Sequence, residues 1–281
     1  MRAYVNPLKE KVCLVTGASS GLGKATAKKL AIMGATVVMG CRDKNKGEAA
    51  LAETKAESGS NAVELLPLDL SAMESVRGAA KEFGAKHDRL DVLINNAGVY
   101  KSHRELTVDS FETMFATNHL GPFLFTNLLL GTIKSSAPAR ILNISAPSTT
   151  KLDFDDLQGE KKFSSLHAFG ASKMCNLLFT YELARRLEGT KVTCNVIHPG
   201  LMKSNLMREA NPFLRFFFSL ASSSPEKAAE TVAYYASASE VEHENGHFFK
   251  GRKAATSSEY SRDPEVQSRL WNVSLQLTKS G

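Results

Sequence analysis

The sequence predicts an α/β fold, a doubly wound parallel sheet of about seven strands in a three-layer sandwich, as a single domain over residues 1–281. Short apolar runs rich in β-branched residues alternate with longer segments of helical periodicity. A glycine-rich turn follows the first of these runs. No linker or shift in composition divides the chain, and its 281 residues suit one large domain.

The composition is that of a globular protein with a mild excess of positive charge. Hydrophobic residues make up 43% of the chain and charged residues 23%, which is enough apolar material for a full core. The formal net charge is +6, without a long run of Lys and Arg. A solvated surface with a site for an anionic ligand is therefore favoured over nucleic-acid binding.

The cysteines and the hydropathy pattern predict a cytoplasmic protein. Cys13, Cys41 and Cys194 lie in strand-like runs, Cys175 lies in a helix-like run, and no metal-type spacing occurs. We therefore expect reduced, buried thiols and no metal site. The opening residues MRAYVNPLKEK lack the apolar core of a secretory signal, and no stretch of about 18 apolar residues predicts a transmembrane helix.

Four strands and the helices between them are predicted in the first part of the chain. Each strand is a short apolar run closed by turn residues. The runs are 11–17, 35–41, 61–70 and 89–98, with helical periodicity over 23–34 and 44–59. Ser71 and Glu74 form an S-x-x-E pattern, which predicts a capping box at the start of the third helix.

Three further strands are predicted, at 140–145, 191–200 and 246–251. A long apolar helix over 110–133 contains Gly121-Pro122, which predicts a kink or tight packing. In such a sheet, ligands bind beyond the carboxyl ends of the strands, where the strand order switches. We therefore expect the functional edge at the ends of the first, second, fourth, fifth and sixth strands.

Two segments near the end of the chain complete the domain. Ser224 and Pro225 predict the cap and first turn of a helix. Residues 255–281 form a tail that ends in an amphipathic helix, and we expect Leu270 and Trp271 to pack this helix on the domain.

The turn after the first strand, TGASSGLG, predicts a dinucleotide-phosphate site. Gly17 permits the tight turn, Gly21 lets the backbone approach a pyrophosphate, and Gly23 lets the helix pack close to the sheet. The helix that follows offers free N–H groups and a partial positive charge to the phosphates.

The end of the second strand predicts which dinucleotide binds. Arg42 comes first, Asp43 is next to it, and Lys46 follows one turn later. A guanidinium group suits a 2′-phosphate, so NADP(H) is favoured over NAD(H). The alternative is that Arg42 and Lys46 only solvate a helix start, while Asp43 binds the ribose.

Several motifs recur in an order that is specific in combination. They are TGASSGLG at 16–23, CRD at 41–43, LDL at 68–70, NNAG at 95–98, TNHLG at 117–121, NIS at 143–145, LQGEK at 157–161, SK at 172–173 and HPG at 198–200. From about Lys11 to Phe249 the chain resembles the short-chain dehydrogenase/reductase superfamily, within it the retinol-dehydrogenase-like branch. This resemblance implies a Rossmann fold, a nicotinamide cofactor, and a homodimer or homotetramer.

The resemblance also implies a set of cofactor-binding positions. Asp69 and Leu70 flank the adenine, Pro199 and Gly200 flank the nicotinamide, and Ser204 touches its amide. The full set is Gly17, Ser19, Ser20, Gly21, Leu22, Gly23, Arg42, Lys46, Asp69, Leu70, Asn95, Ala97, Gly98, Lys173, Pro199, Gly200 and Ser204.

The catalytic positions of the superfamily, Asn, Ser, Tyr and Lys, are only half matched. Asn118 and Lys173 are present, whereas Phe169 takes the tyrosine position and Ala146 the serine position. Strand alternation directs Ser145 to the opposite face. A register shift of one residue, or a contribution from Ser148, Thr149 or Thr150, is the alternative.

The missing hydroxyl groups predict slow carbonyl–alcohol exchange with intact cofactor binding. Loss of a positioned general acid costs about 10²- to 10⁴-fold in rate. Lys173 is the best remaining proton-transferring group, since its pKa falls on burial; His119, His167 and His198 are weaker candidates. A deliberate Tyr-to-Phe replacement is an alternative, which the second loss at Ala146 disfavours.

Residues 201–224 are strongly apolar and predict a lid over a hydrophobic substrate, with a patch for a membrane or a partner subunit as the alternative. The sequence thus predicts an NADP(H)-dependent oxidoreductase that transfers hydride to or from a hydrophobic small molecule without the usual tyrosine. The alternative is a non-redox protein of the same fold: a cofactor-binding sensor, or an isomerase or cyclase.

Overall fold

A computed structural model describes residues 6–200 and 223–279. Within these residues, eight strands form one sheet in the order β3-β2-β1-β4-β5-β6-β7-β8. The strands are β1 (Val12–Thr16), β2 (Thr36–Cys41), β3 (Val63–Pro67), β4 (Val92–Asn95), β5 (Ala139–Ile144), β6 (Val192–His198), β7 (Phe248–Lys250) and β8 (Lys253–Ala255).

The helices cover both faces of this sheet. They are α1 (Gly21–Ile32), α2 (Lys44–Ser58), α3 (Met73–Lys86), α4 (Thr113–Phe115), a π-helical segment (Ala116–Leu120), α5 (Gly121–Ser135), α6 (Ser165–Arg186), α7 (Pro225–Ser237), a 3₁₀ turn (Ser239–Val241), α8 (Glu259–Arg262) and α9 (Pro264–Thr278).

The sheet topology confirms the predicted doubly wound fold in a single domain. Strands β1 to β7 are parallel, and the chain runs outward from β1 in one direction through β3 and then from β4 in the other. The switch in strand order lies between β1 and β4, so their carboxyl ends form the crevice at which ligands of such sheets bind. The strand β8 was not predicted; it is a three-residue antiparallel edge strand.

Two hydrophobic cores lie on the two faces of the sheet. One contains apolar residues of α3, α5, α6 and α9, and the other contains those of α1 and α7. The predicted packing of the carboxy-terminal helix is confirmed, because Leu270 and Trp271 of α9 are buried in the first core. Ser224 also caps α7 as predicted, accepting a hydrogen bond from the Lys227 N–H.

The predicted capping box at Ser71 and Glu74 is wrong. Helix α3 begins at Met73, and its N-cap Ala72 makes no side-chain cap. The Ser71 hydroxyl instead donates to the Asp69 carboxylate at 2.6 Å, while Asp109 accepts the hydrogen bond from the Met73 N–H. The helix therefore begins one residue later than the pattern requires, and Asp109 takes the place of the serine as the acceptor at its first turn.

The tight packing predicted at Gly121 is confirmed. A Cβ atom at this position would lie 2.2 Å from the Leu70 carbonyl oxygen. The helix is also irregular here, because the π-helical segment directly precedes α5. Glycine therefore lets this helix approach the loop after β3.

The four cysteines are free and buried, as predicted. Within residues 6–200 and 223–279, no helix is long and apolar enough to cross a membrane.

Candidate functional site

The glycine turn packs directly against the loop that follows β4. Gly17 has φ +67°, and a Cβ atom there would lie 2.8 Å from Ala97 Cα. A Cβ atom on Gly23 would lie 2.3 Å from the Gly17 carbonyl oxygen. These two positions require glycine for close approach, so the turn brings the start of α1 against the carboxyl end of β4.

The first turn of α1 faces open space. Its N-cap Ser20 is exposed and makes no side-chain cap. Gly21 has φ +54°, and a Cβ atom there would have no neighbour within 4 Å. Ser19 is half-buried and Leu22 is buried beneath the turn. The uncapped N–H groups and the open space above them fit the pyrophosphate of a dinucleotide.

Thr16 and Asn96 hold the turn to β4, a connection that the sequence analysis did not identify. The Asn96 and Ala97 N–H groups donate to the Thr16 hydroxyl at 3.0 and 3.1 Å. The Asn96 side-chain amide donates to the Thr16 carbonyl at 2.8 Å. The polar pair in the NNAG motif was the available signal for this contact.

Arg42 lies at the end of β2, next to a carboxylate and an ammonium group that contact each other. Arg42 is exposed. The Asp43 carboxylate caps α2 by accepting a hydrogen bond from the Lys46 N–H at 3.0 Å. The Lys46 ammonium group lies 3.6 Å from the same carboxylate. This cap hydrogen bond lowers the pKa of the Asp43 carboxyl group.

The predicted adenine-side residues differ in their accessibility. Asp69 is half-buried and accepts hydrogen bonds from the Ser71 N–H and hydroxyl. The Leu70 side chain lies in the core at 4% exposure. The Asn95 side chain is also buried and donates to Thr126 and Asn143. Asp69 and half-buried Ala97 and Gly98 are therefore open to a ligand, whereas Leu70 and Asn95 face the interior.

Asn118 organises the loop after β4. Its side-chain oxygen accepts a hydrogen bond from the Val99 N–H at 2.8 Å, and its amide donates to the Val99 carbonyl at 3.0 Å. The same amide donates to the Ser172 hydroxyl at 3.0 Å, which in turn donates to the Phe169 carbonyl at 2.8 Å. Asn118 thus links the π-helical segment, the loop after β4 and the first turns of α6.

Lys173 and Phe169 lie together, one turn apart on α6. The Lys173 ammonium group is 5.3 Å from the centroid of the Phe169 ring. Lys173 is 7% exposed, and burial lowers its pKa to about 8. Tyr100, which the sequence analysis did not single out, packs edge-to-face on Phe169 with 5.6 Å between the ring centroids. These three side chains form the aromatic–lysine cluster.

The residues after β5 meet α6 through hydroxyl groups. Ser145 is buried, and its hydroxyl donates to the Lys173 carbonyl at 3.4 Å. Ser148 donates to the Gly170 carbonyl at 2.8 Å. A Cβ atom on Gly170 would lie 2.3 Å from the Thr150 hydroxyl. Ala146 is half-buried and offers no polar group.

The three histidines weighed as acids have other surroundings. His119 is buried, contacts the Ser274 hydroxyl at 2.7 Å, and has a pKa lowered to about 3 by burial. His198 lies 3.2 Å from the Ser145 carbonyl, and burial lowers its pKa. His167 is exposed.

The turn after β6 contains the two residues that were predicted to flank the nicotinamide. Pro199 and Gly200 are half-buried at the end of β6, and Gly200 has φ +102°. Ser204 and almost all of the predicted lid lie outside the described residues.

Within the described ranges, no group of three or more His, Cys, Asp or Glu side chains is arranged to hold a metal ion. A cavity of about 310 Å³ lies beside α1 and α2, and one of about 440 Å³ lies beside α6 and β7. Neither is lined by Lys173, Phe169 or Arg42.

Comparison with known proteins places this chain in a family. A model of the family described as short chain dehydrogenase matches residues 11–214. The chain belongs to the short-chain dehydrogenase family. This membership confirms the resemblance that the motifs indicated.

Curated members of the family with high similarity carry the name retinol dehydrogenase. The chain is 44% identical to Retinol dehydrogenase 12 of Mus musculus over 271 residues, which is 95% of this chain and 86% of that protein. It is 42% identical to Retinol dehydrogenase 14 of Homo sapiens over 285 residues, covering 94% and 85% of the two chains. The predicted branch of the superfamily is thereby confirmed.

Solved structures of other proteins share the fold of this chain. An uncharacterised protein from Mycobacterium paratuberculosis superposes with a TM-score of 0.77 at 34% identity, covering 96% of this chain and 94% of that chain. The RhlG/NADP active-site complex of Pseudomonas aeruginosa superposes with a TM-score of 0.72 at 26% identity, covering 89% and 97%.

Proposed function

We propose that this short-chain dehydrogenase binds NADP(H) in preference to NAD(H) and acts as an oxidoreductase on a hydrophobic alcohol or carbonyl compound. The observation that carries the proposal is the open, uncapped first turn of α1, held against β4 by Gly17 and Gly23. A helix N-terminus in this position binds a dinucleotide pyrophosphate.

The preference for NADP(H) is supported by the charges at the end of β2. Asp43 is engaged as the cap of α2 and by Lys46, so its carboxylate is less free to take ribose hydroxyls. Arg42 is exposed beside it and suits a 2′-phosphate. The NADP complex of RhlG, which shares the fold, gives further support.

A hydrophobic substrate is supported by the relatives and by the surroundings of Phe169. The relatives with 42–44% identity are named retinol dehydrogenases, so we infer an alcohol or aldehyde of the retinoid type. Tyr100, Met114, Phe163 and Phe169 belong to one apolar cluster at the carboxyl edge of the sheet. The apolar segment 201–224 supplies the lid in this proposal.

The chemistry follows from the polar groups around this cluster. A bound nicotinamide supplies or accepts hydride. Lys173 presents a buried cation to the ligand, and Asn118 holds the loop that lines its site. In this proposal Phe169 takes the place of the family's tyrosine and Ala146 that of its serine. Unless another side chain supplies the proton, turnover is therefore about 10²- to 10⁴-fold slower than in an enzyme with a positioned acid.

A non-redox role is the second candidate, and the same two residues favour it. Neither Phe169 nor Ala146 carries a hydroxyl group, while Lys173, Asn118 and the glycine turn remain in place. A cofactor-binding sensor, or an isomerase or cyclase, needs the pocket without the acid. Assembly as a homodimer or homotetramer and a cytoplasmic location stay predictions under either role.

Turnover measured at the nicotinamide absorbance band tests the oxidoreductase role. The purified protein is incubated with NADPH and all-trans-retinal, with NADP⁺ and all-trans-retinol, and with a panel of activated alkenes. We expect slow, protein-dependent oxidation of NADPH with at least one substrate. Tight binding of NADPH without turnover on any substrate would contradict this role and favour the non-redox one.

A further inference from the structure

Tyr100 places a phenol ring beside the ring that lacks a hydroxyl group. It follows the NNAG motif at the carboxyl end of β4, which is the ligand-binding edge of the sheet. Its side chain is 6% exposed. Its ring packs edge-to-face on Phe169, with 5.6 Å between the centroids and 69° between the planes.

The Tyr100 hydroxyl group has no protein partner within the described part of the chain. The hydroxyl of a buried tyrosine usually finds one. The same oxygen is not among the sealed, unpartnered polar atoms of residues 6–200 and 223–279. The small exposed fraction of this side chain therefore includes its hydroxyl oxygen, which faces accessible space.

The backbone that carries Tyr100 is held on both sides. The Val99 N–H and carbonyl are both hydrogen-bonded to the Asn118 side chain, at 2.8 and 3.0 Å. The Lys101 N–H donates to the Met114 sulfur atom at 3.4 Å. The phenol ring is therefore positioned by the same asparagine that links this loop to α6.

The Lys173 ammonium group lies near the same Phe169 ring on which Tyr100 packs. It lies 5.3 Å from the Phe169 centroid, so Phe169 contacts a cation and a phenol ring. A cation in an interior of low dielectric stabilises negative charge that develops on a nearby oxygen.

We propose that the Tyr100 hydroxyl group hydrogen-bonds the substrate oxygen and supplies its proton, in place of the hydroxyl that Phe169 lacks. This inference rests on the proposed function. In carbonyl reduction, hydride from the reduced nicotinamide forms the new C–H bond. The Tyr100 O–H bond breaks as the substrate O–H bond forms, and the resulting phenolate regains a proton from solvent.

The removal of one oxygen atom tests this role. Tyr100→Phe is compared with the unmodified protein and with Tyr235→Phe, which changes a buried tyrosine of α7 outside the site. We expect Tyr100→Phe to lower kcat/KM for retinal reduction by NADPH about 10²- to 10⁴-fold. Tyr235→Phe should leave it unchanged.

A binding measurement gives a readout that does not depend on turnover. All-trans-retinal is titrated into each protein with NADP⁺ present, which cannot reduce it, and quenching of intrinsic fluorescence gives Kd. Loss of one hydrogen bond should raise Kd about 3- to 10-fold in Tyr100→Phe. An equal Kd in Tyr100→Phe and the unmodified protein contradicts the contact.

Rescue distinguishes a proton donor from a packing residue. If Tyr100 supplies the missing hydroxyl, then adding Phe169→Tyr to Tyr100→Phe should restore activity about tenfold or more. Phe169→Tyr alone is the matched control, because it restores an acid whether or not Tyr100 was one. A donor role predicts that Tyr100→Phe costs little in the Phe169→Tyr background. A loss in that background as large as in the unmodified protein would mean a packing effect and would overturn the proposal.

The two proposals fail in different ways. If the unmodified protein reduces retinal and Tyr100→Phe does so equally well, then Tyr100 is not the donor and the oxidoreductase function stands. If the unmodified protein binds NADPH and retinal but never turns over, then the oxidoreductase function and the proton transfer both fail. The comparison of Kd values then still decides whether Tyr100 contacts the ligand.

Discussion

The Lys173 ammonium group is buried beside an aromatic ring without a carboxylate to pair with in the described part of the chain. Burial disfavours its charged form and lowers its pKa from 10.5 to about 8. The folded protein therefore holds this proton less tightly than the unfolded chain does. A buried cation without a carboxylate partner lowers the stability of the fold. Its position at the ligand-binding edge indicates that it serves function instead.

Lys173 should make stability depend on pH in the alkaline range. Between pH 8 and 10.5, the unfolded chain binds the Lys173 proton more strongly, so the free energy of unfolding rises with pH. Below pH 8 both states are protonated and the full cost is present. Lys173→Met should raise the free energy of unfolding by about 1–3 kcal/mol at about pH 7.

Urea denaturation at several pH values checks this prediction. The rise of the free energy of unfolding with pH should disappear in Lys173→Met. It should remain in Lys81→Met, which changes an exposed lysine of α3. An unchanged pH profile in Lys173→Met would show that the group is not buried as described.

Individual site residues could be predicted where a motif places them within one element. The spacing of Phe169 and Lys173 puts them one turn apart on a helix, and the structure brings them together on α6. Tyr100 could not be predicted in the same way. Its contact with Phe169 joins residues 69 positions apart through the packing of the loop after β4 against α6, and no local pattern encodes that distance.

Gly121 shows how one element depends on the absence of a side chain. It joins the π-helical segment to α5, and its Cα faces the Leu70 carbonyl oxygen. A Cβ atom would lie 2.2 Å from that oxygen, so the helix or the loop after β3 would have to move. The loop in question carries Asp69, one of the predicted adenine-side residues.

Two alanine substitutions in the same helix should have opposite effects. Gly121→Ala should lower the free energy of unfolding by about 1–3 kcal/mol or more, because backbone lies in the way. Gly131→Ala has nothing within 4 Å of the new Cβ atom and should raise stability by up to about 1 kcal/mol through helix propensity. Equal effects of the two changes in urea denaturation would contradict the packing described for α5.

Two local features were not predicted correctly from the sequence: the cap of α3 and the strand β8. The serine of an S-x-x-E pattern caps a helix only if it is the N-cap residue. Helix α3 begins at Met73, so Ala72 is the N-cap, and Asp109 accepts the hydrogen bond from the Met73 N–H. Strand β8 has three residues at the sheet edge and, among the described strands, pairs only with β7. Such a short segment carries no measurable period, so its pairing emerges only in the folded sheet.

The carboxy-terminal helix closes the core over α5 and α6. The Trp271 ring packs on Phe123 and Phe179, with centroid distances of 4.9 and 6.0 Å. The Arg186 guanidinium group lies 4.4 Å from the Trp271 ring. The Ser274 hydroxyl contacts buried His119, next to Asn118. The tail therefore stabilises the helix that carries a site residue.

Trp271 should be a major contributor to the stability of the whole domain. Trp271→Ala should lower the free energy of unfolding by about 3–5 kcal/mol, and Trp271→Phe should cost less because it keeps part of the ring packing. Calorimetry of both variants checks this. A loss below about 1 kcal/mol in Trp271→Ala would mean that the tail packs independently of the core.

The order of the whole sheet could be anticipated because strands and helices alternate and parallel crossovers leave few topologies. The contact between α9 and His119 could not be anticipated, because it joins residues 155 positions apart in the chain. The charges at the carboxyl edge of the sheet could be predicted in part. The sequence places Arg42 after β2, and the structure adds that Asp43 is already engaged as a helix cap.

Calorimetric titration tests the proposed function most directly. NADPH and NADH are each titrated into the unmodified protein and into Arg42→Ala. We expect NADPH to bind the unmodified protein more tightly than NADH does. Arg42→Ala should weaken NADPH binding about 10- to 100-fold, because a charge-assisted contact is lost, and should leave NADH binding nearly unchanged. Failure of both dinucleotides to bind, or NADH binding as tightly as NADPH with no effect of Arg42→Ala, would contradict the proposed function.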